Sequence, residues 1–191
     1  MSWGRRLALL AALLVLSLGL DRATKLLAMA NLQGRPRQSY LFGLFHLGYS
    51  ENPGSFLSLG ADLPDELRFW LLVVLLGLVL AGMLGFALFS RRLRPLALAG
   101  LALVVGGGLG NWFDRLLYGN VVVDFMIVGV GPVRSGIFNF ADLFLEIGIG
   151  LILLYQLRRH GKDEAEANHG VTEDRETRGR NEPQMHTDGD G

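Results

Sequence analysis

Two runs of residues without a single charge limit what this chain can become. Residues 69–90 are 22 uncharged positions rich in Leu and Val, and residues 95–113 are 19 more. The hydrocarbon core of a bilayer takes about 20 mostly apolar residues as a helix. Both runs therefore read as membrane spans. Two shorter runs, residues 7–20 and 147–157, reach that length only when extended past ionisable residues: Asp21 to Lys25 on one side, Asp142 and Glu146 on the other. Four spans follow, at about 5–28, 67–90, 95–117 and 137–158. Residues 1–20 carry Arg5 and Arg6 before an apolar core, as a signal peptide would, but no small-x-small cleavage site follows. They are read as an uncleaved first span.

The chain of 191 residues has 18 Lys+Arg and 18 Asp+Glu, and the zero balance is a cancellation. Residues 1–162 hold 15 basic and 9 acidic residues, net +6; residues 163–191 hold 3 and 9, net −6. The latter segment has one Val, one Met and two Ala as its only hydrophobic residues. It buries too little apolar surface to offset the entropy of ordering, so a disordered acidic tail is expected after a membrane domain at 1–162. Neither part suggests nucleic acid as a partner. The absence of Cys excludes disulfides, thiol nucleophiles and Cys-ligated zinc.

Orientation follows the basic residues near span ends. Arg5 and Arg6, then Arg91, Arg92 and Arg94, then Arg158, Arg159 and Lys162 fall on one side of a four-span chain, which is therefore expected to be the cytoplasm, with both termini inside. Arg22, Lys25, Arg35, Arg37, Arg68, Arg115 and Arg134 lie toward the other side and blur the bias; several read as structural partners. The outer segments, about 29–66 and 118–136, differ in texture. Residues 39–50 alternate imperfectly and are aromatic, and residues 121–130 are β-branched or aromatic, so a small sheet is expected there. Asp62-Leu63-Pro64-Asp65-Glu66 reads as a turn and the start of the second span.

A charge at the bilayer centre costs at least about 2.5–3.5 kcal/mol, so acids near these spans need a reason. Asp21 and Lys25 are one helical turn apart and read equally as an ion pair and as site residues. Asn111, Asp114 and Arg115 share one helix face and read first as a structural knot between helices. Asn139, Asp142 and Glu146 share another. Asp124 and Asp142 have no basic partner at i±3 or i±4, and Asp124 lies within Val-Val-Val-Asp-Phe-Met-Ile-Val, where an unused charge destabilises. Two carboxylates held close share a proton near neutral pH. The ionised member can deprotonate water while the protonated member polarises a peptide carbonyl and later serves the leaving amine. Such hydrolysis needs no metal and no cofactor.

Other chemistries fit less well. A triad lacks a placed histidine: His160, His169 and His186 lie inside or in the tail, and His46 reads as a strand residue. A Ser–Lys dyad of Lys25 with Ser55 or Ser58 competes with Asp21. Gly106-Gly107-Gly108-Leu109-Gly110 lies inside a span with no Lys-Ser/Thr after it, so it reads as a site of close helix approach that would also admit a substrate helix. A lipoprotein or lipid carrier that kept the pocket, or a small ion transporter using the buried acids, stays open on composition alone.

Five polar blocks carry a resemblance. Asp21-Arg22-Ala23-Thr24-Lys25, Asn52-Pro53-Gly54-Ser55-Phe56, Gly107 to Arg115, Val123-Asp124-Phe125 and Phe138-Asn139-Phe140-Ala141-Asp142 match, in order and spacing, the signal peptidase II family. The resemblance covers nearly all of residues 5–158. It implies a four-helix membrane core with a small periplasmic β-cradle and an amphipathic helix. It implies an aspartic endopeptidase of the bacterial inner membrane that cuts diacylglyceryl-modified prolipoproteins before the lipidated cysteine, acting as a monomer among membrane lipids. By motif, Asp124 and Asp142 match the catalytic pair. Asn52, Gly54, Asn111, Asp114, Arg115 and Asn139 match the polar residues around it, with Asp21 and Lys25 in the first-span block. Asn139 is expected to orient Asp142 from one turn away, and Asn52 and Arg115 to bind substrate carbonyls. Three departures stand out: Ser55-Phe56-Leu57 after the Asn-x-Gly, the Gly- and Pro-rich stretch before Asn139, and Glu146 where an apolar or small residue is usual.

Overall fold

The computed structural model describes residues 1–54, 62–90 and 93–181, with side chains as far as residue 161. Four helices are long and apolar enough to cross a membrane. They are α1 (Trp3–Leu32), α2 (Asp65–Phe89), α3 (Pro95–Leu117) and the first part of α4, Phe140–Gly161. Each lies within a few residues of the span expected from charge-free length. Pro64 precedes α2, and Asp65 and Glu66 occupy its first turn, where the positive end of the helix dipole favours acids. A π-helical turn over Trp70–Leu75 interrupts α2. The Ser-Phe-Leu departure at residues 55–57 lies outside the described residues.

The helices are not equivalent. In α3, 67% of the apolar stretch is buried, against 17% in each of the other three. Three consecutive glycines explain how one helix takes the centre. Successive residues on a helix point about 100° apart, so neighbours face different directions. A Cβ on Gly106 would overlap Ser17 of α1. One on Gly107 would overlap the carbonyl oxygen of Ala141 in α4, and one on Gly108 would come within 2.5 Å of Leu80 in α2. Near the other end of α3, the Gly100 and Gly148 backbones meet in the same way. Small residues let helices pack where lipid tails remove the hydrophobic drive for association. The outward faces of α1 and α2 expose Val15, Leu16, Leu27, Leu78 and Phe86, an apolar girdle suited to lipid rather than water.

One cation expected to mark topology has a structural task as well. Arg6 is buried, and its Nε donates to the carbonyl of Ala87 at 3.1 Å. This ties the start of α1 to the last turn of α2, where carbonyls lack helical partners.

Four antiparallel strands form the sheet in sequential order: β1 (Gln38–Tyr40), β2 (Phe45–Asn52), β3 (Val122–Val130) and β4 (Val133–Arg134). This is where the β-branched and aromatic texture places strands. Gly131, at φ 57°, makes the tight turn between β3 and β4. Ala28, Leu32, Phe125 and Met126 form a core between α1 and the sheet, with Phe45, Leu47 and Phe138 packed against it.

The chain divides into two compact units, Met1–Ile152 and Leu153–Gly191. The first contains the features above except the end of α4. In the second, helical backbone continues to Asn181, which differs from the disorder expected over 163–191. Low apolar content excludes a core but not a helix: Glu164, Ala165, Glu166 and Ala167 are strong helix formers that need no burial. Residues 182–191 lie outside the described residues.

The contact at Gly107 gives a direct test. Gly107→Ala is expected to lower stability by about 1–3 kcal/mol, because the α3 and α4 backbones must part. Gly85→Ala, with nothing within 4 Å of the new Cβ, is expected to be neutral or mildly stabilising. Thermal unfolding of the two variants in detergent compares them.

Candidate active site

The start of α4 builds one half of the site from local rules. Asn139 is the residue before the helix and Asp142 is three further on. The Asp142 amide donates to Asn139 Oδ1 at 3.0 Å, and the Asn139 amide donates to Asp142 Oδ2 at 3.1 Å. This is a reciprocal capping box, here built from Asn and Asp. It satisfies two amides that the first helical turn leaves open and holds the Asp142 carboxylate in one orientation. A third amide, that of Ala141, donates to Asp21 Oδ1 of α1 at 2.9 Å. Asn139 and Asp142 thus exchange two hydrogen bonds across the first turn of α4.

Strand β3 brings the other half. Phe125 and Met126 both donate to the Phe138 carbonyl, at 3.1 and 2.9 Å, and the Phe138 amide donates back to Met126. The chain just before α4 is thereby pinned along β3, and Asn139 lands beside Asp124. Asn139 Nδ2 donates to Asp124 Oδ1 at 2.6 Å. A bulge in β2 completes the arrangement. Leu47 pairs with Met126 but Ser50 with Asp124, one residue out of step. The extra residue turns Asn52 onto the face that carries Asp124. Asn52 Nδ2 then donates to Asp124 Oδ2 at 3.0 Å, while Asn52 Oδ1 accepts from the Gly54 amide at 3.0 Å.

Below the pair lies a buried ionic network. Lys25 is fully buried, and its ammonium lies 2.9 Å from each of Asp21 Oδ2, Asp114 Oδ2 and Asn111 Oδ1. Three donors thus meet three acceptors. Asn111 passes the connection upward, since its Nδ2 donates to Asp142 Oδ1 at 2.8 Å. Asp114 also accepts from Arg22 at 3.1 Å and from the Val123 amide at 3.2 Å, fastening β3 one residue before Asp124. Arg22, absent from the candidate set, belongs to this network. The signal was its place in the Asp21–Lys25 block. Asp21 and Lys25 form an ion pair, one of the two readings their spacing left open, and Asn111 joins that pair to Asp142.

Asp124 and Asp142 both line a cavity of about 380 Å³. Its walls are apolar toward the helices, with Leu76, Val79, Leu80 and Val104, and polar at Asn52, Asn111 and Arg115. Asp124 is 1% exposed. Burial first, and the Asp142 charge second, push its carboxyl up to about 7, against the lowering effect of the Asn52 and Asn139 hydrogen bonds. A carboxyl in this range carries and releases a proton at neutral pH.

Two expected contacts are made to protein groups. Arg115 Nη1 donates to the Asn111 carbonyl at 3.1 Å and Nη2 to the Gly54 carbonyl at 2.8 Å. Arg115 thus holds the Asn52–Gly54 turn over the cavity, while Asn52 supports Asp124. Glu146 also lines the cavity, one turn after Asp142, and is exposed.

Residues 13–158 match the family described as Signal peptidase (SPase) II. The chain is similar to the lipoprotein signal peptidase of Azoarcus sp., at 37% identity over 86% of this chain and 93% of that one. It is 36% identical to that of Moorella thermoacetica over 78% and 91%, and 32% identical to that of Gloeobacter violaceus over 80% and 84%. A bacterial membrane enzyme solved by the in meso method at 2.3 Å superposes with a TM-score of 0.64 at 22% identity, covering 83% of this chain and 91% of that chain. That likeness supports the fold. The match across four spans and all five polar blocks places this chain in the signal peptidase II family.

Proposed function

We propose that this protein is a membrane aspartic endopeptidase that removes signal peptides from diacylglyceryl-modified prolipoproteins, cutting before the lipidated cysteine. The observation that carries the reading is the joining of Asp124 and Asp142 through one asparagine on the wall of one cavity among the spans. A water between the carboxylates is the nucleophile. Asp142 takes its proton as the oxygen adds to the scissile carbonyl carbon, and Asp124 gives its proton to the carbonyl oxygen. Collapse of the tetrahedral species breaks the C–N bond. The leaving nitrogen receives the proton from Asp142, Asp124 recovers its own, and the products are a peptide acid and a free amine. Two N–H donors hold the Asp142 oxygens at the cavity, which suits it to the base role. Asp124, with its raised carboxyl, suits the proton-bearing role.

Residues 1–162 act as the peptidase and residues 163–191 as a tail apart from it. The basic clusters support a cytoplasmic place for both termini, with the sheet and the aspartates toward the periplasm of a bacterial inner membrane. The sheet serves as a cradle for the substrate above the bilayer. The lipid chains stay between the spans, so a monomer meets its substrate by diffusion in the membrane plane. The apolar helix-side wall of the cavity supports that route.

Asp124→Asn and Asp142→Asn are each expected to lower cleavage of a diacylglyceryl-modified prolipoprotein by about 10³-fold or more while the protein still inserts. Release of signal peptide, read by gel shift with purified protein, measures this. Cleavage retained by either variant removes the diacid assignment. Substrate bound without turnover by the wild type indicates a carrier, and ion flux across liposomes without product indicates a transporter.

The pH profile tests the proton's location. As pH rises through about 7, Asp124 ionises and the general acid is lost, so kcat/KM falls on the alkaline side. The Asn52 hydrogen bond favours the ionised form. Asn52→Ala is therefore expected to move this alkaline limb to higher pH, whatever it does to the maximum rate. A limb that stays in place or moves to lower pH contradicts the assignment.

A further inference from the structure

Among the cations on the outer side of the spans, Arg22, Lys25 and Arg115 are explained by the network and Arg68 by an ion pair with Asp65. Arg35, like Arg37 and Arg134, is not: no ion pair to it occurs among the described residues. It sits three residues beyond the end of α1, where a membrane-spanning helix reaches the lipid headgroups. It also lies at a cavity of about 470 Å³ separate from the one that holds the aspartates. Leu27, Ala28 and Leu32 of α1 form one wall, at helical spacing, and Leu47 and Phe125 of the sheet form the other. Leu27 is 62% exposed on the lipid side of the span, so the groove is open to the bilayer. Of its polar groups, Thr24 and Asn31 turn hydrogen bonds onto their own helix and Gln38 Oε1 accepts from the Tyr40 hydroxyl, which leaves the Arg35 guanidinium as the charged group at the site.

We propose that this groove between α1 and the sheet binds one glycerophospholipid, an acyl chain along Leu27 and Leu47 and the phosphate on Arg35. The apolar walls ask for a hydrocarbon chain, and the guanidinium at their edge asks for an anion; a phospholipid carries both on one molecule. The site stands behind the chemistry. Asp124 lines the aspartate cavity and Phe125, the next residue of β3, lines the groove. An occupied groove would brace the strand that carries Asp124. This inference does not rest on the peptidase reading.

Native mass spectrometry of the full chain, released from detergent after addition of phosphatidylglycerol, tests it. One retained phospholipid per protein is expected, with binding about tenfold weaker in Arg35→Ala, as for loss of one charge-assisted pair. Arg35→Lys is expected to fall between the two. Diacylglycerol, which has the chains without the phosphate, is expected to bind like phosphatidylglycerol does to Arg35→Ala. Equal retention by wild type and Arg35→Ala, or equal binding of diacylglycerol and phosphatidylglycerol to the wild type, overturns the proposal. Thr24→Leu, which leaves Arg35 in place, is expected to retain the lipid; loss in that variant alone, with Arg35→Ala unaffected, also overturns it.

Discussion

A lysine sealed from water between helices organises this protein. An uncompensated charge at the Lys25 position would cost several kcal/mol, and removing one partner of a buried pair typically costs about 3–5 kcal/mol. The ammonium is therefore committed to Asp21, Asp114 and Asn111 at once. Each of those partners reaches a different element. Asp21 holds the first turn of α4 through Ala141, Asp114 holds β3 through Val123, and Asn111 holds Asp142. The elements that carry the two aspartates are thus indexed against one fixed point in α1.

Charge arithmetic separates support from chemistry. Lys25 and Arg22 balance Asp21 and Asp114, so these four charges cancel. Asp124 and Asp142 are left without an ion pair among the described residues, held instead by amides. Amide donors orient a carboxylate without supplying a full opposing charge, so burial and mutual repulsion stay in force at Asp124. A lysine or arginine paired directly with Asp124 would favour its ionised form and remove the proton on which the proposed mechanism relies. Asn111 and Asn139 transmit position from the ionic network to the pair while withholding charge.

Close helix approach serves the same end. Gly107 lets the α3 backbone reach Ala141, one residue before Asp142, and a Cβ on Gly110 would come within 2.6 Å of Asp21 Oδ2. The glycines thus set the distances over which Asn111 and Asp114 reach their partners. Packing and polar satisfaction are a single problem here, because lipid offers no water to fill a mismatch.

Much of this was legible in the chain itself. Charge-free length sets two of the four spans directly and the other two once extended past ionisable residues, since the bilayer imposes one thickness on any helix that crosses it. β-branched and aromatic texture sets the strands. Helical spacing places Asn139 one turn from Asp142, and the capping box needs nothing beyond that local geometry. The tail was less legible, because a scarcity of apolar residues rules out a core but leaves a helix free to form. Spacing could not say that Asp124 and Asp142 meet. That depends on the Phe138 backbone pinned to β3, on the one-residue bulge that turns Asn52 toward Asp124, and on the glycines that bring α3 against α4. Hydropathy and local hydrogen bonds act between near neighbours and can be read along the chain. The meeting of residues 18 positions apart on a strand and a helix is set by backbone pairing and packing, which exist only in the folded molecule.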